Sequence, residues 1–268
     1  MQSSDLGDPT ALVDARNMAH AAAQFLYKAA VANIPKAPGD SHSNLTWASG
    51  RFQTNPLSDD GTVLTLSISP LALAIGDKSL TLDGVAASAA LDWVDSALGA
   101  HGLKPASSVE LRYDLPVAVT ELTEYTAIPG LAEVAAWFEL AASTLEEFAA
   151  GASDLSPGPS PVRCWPDPFD IATYVSLETG DPETARGIGV GLSPGDTSNE
   201  QPYFYINPWP HLSLDQVPAA IEPGYWHTEG YVGSVGTGEA IVGTADPIGG
   251  TKAFVQGSFD AGRVALGL

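Results

Sequence analysis

Arg16, His20, Gln24 and Lys28 recur at intervals of four near the start of the chain, a spacing that stacks side chains one above another on a helix. An imidazole and an ammonium on one such stripe can hold an anionic group, and His42 follows in the next segment as a further nitrogen donor. The plainer alternative is a solvated face on an otherwise apolar helix. Burial of His20 against a carboxylate would favour a cleft, whereas full exposure of the stripe would leave only that face.

A second constellation lies between Pro161 and Val232, where ten of the 22 aromatic residues and two of the five histidines fall within 72 residues. Trp165, Tyr203 and Tyr205 belong to it, with Asp170, His211, His227 and Glu229 interspersed. Aromatic side chains supply contact area with few rotors to freeze, which a pocket rim or an interface needs; a loop-rich β core needs them as well. His227 and Glu229 sit two apart, a spacing that points both to one face of a strand. With His211 or His42 and Asp170 they offer acid-base groups or nitrogen and oxygen ligands. The helical His-Glu-x-x-His spacing is missing, so the sequence predicts no metal and no cofactor.

Other motifs lose their chemistry on inspection. GLSPG at 191–195 has the Gly-x-Ser-x-Gly form of a nucleophile elbow, but Pro194 has no N–H for an oxyanion hole and a loop sequence follows it. The glycine clusters GIGVG and GSVGTG lack the strand-to-helix setting of a dinucleotide fingerprint, and there is no Walker motif. Cys164 is the single cysteine, so no disulfide can form within the chain. Its neighbours Arg163, Trp165 and Pro166 read as a buried strand end.

The formal net charge of −21, from 32 acidic and 11 basic residues, repels phosphate backbones and anionic bilayers. No nucleic-acid or membrane partner is expected. The opening MQSSDLGDPTALVDAR lacks the basic and apolar stretches of a secretory signal, and the expected location is the cytoplasm. Nothing in the chain encodes an oligomeric state.

These residues must be positioned by alternating helices and strands. Asp8 and Pro9 read as the cap and first residue of an alanine-rich helix to about Asn33. Strands are expected at 44–54, 62–69 and 79–82, then a helix over 84–98 capped by Asp83, and a strand at 109–113. Leu131, Val134, Phe138, Ala141, Leu145 and Phe148 recur at threes and fours after Pro129, which predicts a second long helix. Strands follow at 169–177, 186–192, 203–206, 225–232 and 239–242, and Asp246-Pro247 opens a terminal helix. The predicted fold is α+β, an antiparallel sheet with packed helices in a single domain over 1–268. The order helix, strands, helix recurs as pseudo-repeats over 9–100 and 129–266.

The His-x3-Gln-x3-Lys helix, together with CWPDPFDIA, EQPYFYINPWP and TADPIGGTKAFVQGSFDAG, resembles an uncharacterised bacterial family known only as a domain of unknown function. The resemblance spans most of the chain in the same order and implies a bacterial protein with this succession of elements. It implies no activity. Asp40 and Ser41 stand where the family carries a tryptophan pair. Three functional readings stand open: small-molecule binding through an aromatic-rich pocket that uses His20, Gln24, Lys28 and His42, a hydrolase-like enzyme using His227, Glu229 and Asp170, and a protein interaction module.

Overall fold

The structure is a computed structural model that describes residues 2–181 and 183–268. Helix α1 (Val13–Asn33) begins later than the Asp8-Pro9 pair predicts. Asp8 instead closes a tight turn, accepting from the backbone N and Oγ1 of Thr10 at 3.0 and 2.7 Å. The run 44–54 is two strands, β1 (Leu45–Ala48) and β2 (Arg51–Thr54), because Ser49 and Gly50 both take positive φ, 53° and 75°. Such a two-residue turn matches the twist of paired strands. Strands β3 (Leu64–Ser67), β4 (Ala72–Ile75) and β5 (Lys78–Thr81) extend the meander.

Strand β6 (Val85–Ala86), helices α2 (Ala87–Ala100) and α3 (Val117–Thr120) and strand β7 (Glu124–Tyr125) come next, with β6 and β7 paired. Asp83 does not cap α2; its carboxylate accepts from the backbone N of Ala127 at 2.7 Å and ties down the chain after β7. The 109–113 run is a loop instead of a strand.

Helix α4 (Leu131–Gly151) follows the predicted period, and then β8 (Gly158–Pro159), β9 (Arg163–Trp165), β10 (Asp170–Ser176), β11 (Gly187–Ser193) and β12 (Tyr203–Trp209). Of the 225–232 run only β13 (Tyr225–His227) is strand, and β14 (Gly233–Thr237) follows it after a loop. Residues 239–242 are helical, within α5 (Gly238–Val242), because Thr237 Oγ1 accepts from Ala240 N at 3.3 Å and caps the turn. Helix α6 (Pro247–Ala265) opens as predicted, with the Asp246 carboxylate accepting from Gly249 N at 3.0 Å and Pro247 at the first position.

The chain forms two compact units. The first holds Ala11–Ala135 and Arg163–Phe169, with antiparallel strands in the order β9-β1-β2-β3-β4-β5. Helix α1 packs on β2 and β3 over a core of Leu26, Leu45, Phe52, Leu64 and Leu66. The second holds residues 2–10, Ala136–Val162 and Asp170–Leu268, with antiparallel strands in the order β13-β14-β12-β11-β10 and β8 on the far side of β10. Helix α6 covers one face of β11, β12 and β14, where Phe148 and Phe259 meet edge to face at 4.9 Å. Each unit is thus an antiparallel sheet with packed helices, and the fold is α+β. Among the described residues no helix is long and apolar enough to cross a membrane.

Candidate functional site

The α1 stripe is buried over most of its length, which overturns the solvated-face alternative: Arg16, His20 and Gln24 are all buried and Lys28 is half-buried. His20 Nε2 lies 2.9 Å from the backbone oxygen of Pro166. A carbonyl can only accept, so Nε2 carries the proton. Gln24 Nε2 donates to the same oxygen at 2.8 Å and to His20 O at 3.2 Å, and Gln24 Oε1 accepts from the Tyr113 hydroxyl at 2.7 Å. Every polar atom of the Gln24 amide is thereby used.

This cluster fastens the segment 163–169 to α1. Phe169 adopts φ +59°, a left-handed conformation disfavoured for a side chain with a Cβ. Its ring stacks on His20 with centroids 4.8 Å apart and planes within 3°, and it leans on Phe52 at 5.6 Å. The stack and the burial of Phe169 hold that backbone in place. Burial pushes the His20 pKa down to about 4, against the raising effect of its bond to Pro166 O. His20 is therefore neutral at neutral pH and engaged by a carbonyl instead of a carboxylate, so it is not an anion ligand. Removing the Gln24 amide leaves Tyr113 without its acceptor. Gln24→Leu should cost about 2 kcal/mol in denaturant unfolding, with an unchanged fold by circular dichroism.

His42 is buried in the turn before β1, where Nδ1 accepts from Ala37 N at 3.5 Å. Trp165 is half-buried at the end of β9, and its carbonyl accepts from Phe169 N at 2.8 Å. Cys164 is buried on the same strand, paired with Leu45 of β1.

Gln24 and Lys28 do reach a pocket. A groove of about 330 Å³ runs along α1 against α2, α3 and β7, lined mainly by Phe25, Leu91, Leu111, Leu115, Val119 and Tyr125. Phe25 and Tyr125 are tilted rings 5.9 Å apart. Three polar groups line it without a partner among the described residues, the Lys28 ammonium and the Ser88 and Tyr125 hydroxyls. Tyr125 is only 2% exposed, and burial raises the pKa of its phenol. Leu111 and Leu115 reach the groove from the loop that stands where the sequence predicts a strand at 109–113. The sequence singled out only Gln24 and Lys28 of the lining residues as candidate ligand contacts.

The remaining candidates lie in the second unit, with Asp170, Tyr203 and Tyr205 on the sheet face turned away from α6. Cross-strand register puts Asp170, Tyr174 and Ser176 of β10, Gly187, Gly189 and Gly191 of β11, and Tyr203, Tyr205 and Trp209 of β12 on that face. The three glycines at alternate positions make a track for rings. A Cβ on Gly187 would stand 2.2 Å from the Tyr174 hydroxyl oxygen, and one on Gly191 would stand 2.5 Å from that of Tyr205. The Tyr205 hydroxyl donates to the Asp170 carboxylate, and Tyr203 donates to Asp196 at 2.6 Å. Tyr203 is buried and Tyr205 half-buried, while His211 is exposed with its ring edge-on to Trp209 at 5.0 Å.

His227 and Glu229 do not share a strand face, since β13 ends at His227. The imidazole Nε2 turns to the backbone oxygen of Glu229 at 2.6 Å, and the ring lies 4.5 Å from that of Tyr231. Ser193 of the GLSPG string is buried at the end of β11, where its hydroxyl accepts from Gly195 N at 3.2 Å. No group of three or more His, Cys, Asp or Glu side chains converges to hold a metal ion among the described residues. No protein-family model, no curated protein and no solved structure matches the chain.

Proposed function

We propose that the protein binds a small anionic amphiphile, an apolar body ending in a carboxylate or similar acid, in the groove beside α1. The observation that carries this reading is Lys28: a half-buried lysine whose ammonium has no carboxylate partner among the described residues, in a chain whose acids outnumber its bases 32 to 11. An unpaired charge at the edge of apolar surface is costly, and an anionic head group relieves that cost. The Tyr125 hydroxyl offers a second donor in the same groove. Leu91, Leu111, Leu115 and Val119 receive the apolar body, and the volume is at the small end of the roughly 300–1,000 Å³ usual for ligand pockets. His20 and Gln24 support the wall from behind through Pro166.

Titration calorimetry with decanoate, decanol and decyltrimethylammonium tests this. Decanoate should bind most tightly. Lys28→Met should weaken it by roughly 10- to 100-fold, the worth of a charge-assisted hydrogen bond, and leave decanol unchanged. Equal binding of the anion and the cation, or an unaltered decanoate affinity in Lys28→Met, would overturn the proposal.

A further inference from the structure

We infer a second binding site, in the other unit, that takes one ring of a neutral glycan. A pocket of about 390 Å³ opens at the end of the glycine track, lined by Tyr174, Ser176, Glu178, Arg186 and Trp209. Trp209 on β12 stands directly opposite Gly187 of β11, the strand residue that precedes the pocket on the Arg186 side. The Tyr174 ring lies across Gly187 from the β10 side, so close that a Cβ would meet its Cζ at 2.4 Å. Tyr174 is 40% exposed, so the ring is open to a ligand. Trp209 is braced edge-on by His211. The Tyr174 and Trp209 rings that line the pocket offer the apolar surface that the C–H face of a pyranose covers, with ring and sugar stacked face to face.

The polar side of the pocket fixes the charge of the occupant. The Arg186 guanidinium is held by Glu178 through Nη2 and by the backbone oxygen of Leu266 through Nη1 at 2.8 Å, while Arg186 N donates to Glu178 Oε2 at 3.2 Å. The pair cancels its own charge, so no net positive group is left at this site for a phosphate or carboxylate. The hydroxyls of Tyr174 and Ser176 make no hydrogen bond among the described residues and line the same pocket. A ligand that brings several neutral hydroxyls and one apolar face satisfies both walls. That is a hexopyranoside, and the site is independent of the groove at Lys28.

The chain has six tryptophans, so their indole N–H signals in a nitrogen-correlated NMR spectrum can be assigned singly, with Trp209→Phe identifying one. Methyl glycosides of glucose, galactose, mannose and N-acetylglucosamine serve as probes. At least one should move the Trp209 signal saturably with a dissociation constant on the order of millimolar, as expected for a shallow site and a small ligand. Tyr174→Ala should weaken that response at least ~5-fold, and Ser176→Ala and Tyr174→Phe, which spare the fold, by ~2- to 5-fold through one lost hydrogen bond each. Lys28→Met should leave it unchanged. Silence of all four glycosides overturns the proposal, as does a Trp209 response to adenosine or a proline-rich peptide without a response to any glycoside. A glycoside response unaltered in both Ser176→Ala and Tyr174→Phe overturns it equally.

Discussion

Between pH 7 and pH 5 the protein should lose about 2 kcal/mol of stability through His20 alone, rising to about 3 kcal/mol by pH 4. The buried imidazole has its pKa pushed from 6.5 down to about 4, chiefly by loss of water around the charged form. The sign follows from proton counting. Below 6.5 the unfolded chain takes up a proton that the folded chain refuses until about 4, so acid favours unfolding. The stabilisation is complete above 6.5, is lost as the pH falls through this window, and is constant again below the folded pKa. Urea titrations of wild type and His20→Gln at pH 7, 6 and 5 measure it as a difference. The Gln side chain still donates to Pro166 O but cannot titrate, so its curve should be flatter by about 2 kcal/mol over that range. Equal slopes for the two proteins would show that His20 takes a proton without opening the cluster.

The glycine track makes a second strong prediction because its members differ. Gly191→Ala should destabilise the second unit by about 3 kcal/mol. Its Cβ would meet the Ala172 Cβ at 2.7 Å and the Tyr205 hydroxyl oxygen at 2.5 Å. Ala172 sits on a paired strand and cannot yield, and moving Tyr205 breaks its bond to Asp170; overpacking of this kind costs roughly 1–3 kcal/mol, occasionally more. Gly189→Ala, two residues earlier on the same strand and face, should be neutral to within about 0.5 kcal/mol. Its Cβ meets nothing closer than 3.9 Å, and its removal of unfolded-state freedom is mildly stabilising. Thermal unfolding of the two variants side by side reads the contrast. Similar losses in both would mean that the track is limited by strand propensity and not by the rings over it.

The sequence made the long helices legible and left the site mostly hidden. The apolar spacing of α4 and the Asp246-Pro247 start of α6 are local signals, and both survive into the structure. The strand expected at 239–242 fails because a local cap at Thr237 outweighs the β-branched pair Ile241-Val242. Spacing showed that Arg16, His20, Gln24 and Lys28 share a stripe. It did not show that His20 and Gln24 are buried, because the oxygen they share lies 146 and 142 positions away. The density of rings after Pro161 was visible too, yet its ordering on one sheet face depends on the glycines between the rings. Tyr125 gave no signal, since an unpaired hydroxyl is a property of its surroundings.

Lysine is scarce enough to make the groove itself observable, with five in the chain: Lys28, Lys36, Lys78, Lys104 and Lys252. Reductive methylation with carbon-13 keeps each ammonium charged and gives it one NMR signal, with Lys28→Arg assigning the one that matters. Titration with decanoate should shift the Lys28 methyl signal saturably and leave the other four in place. Movement of all five together, or a Lys28 signal that stays fixed while decanoate binds, would contradict an anion site at this lysine.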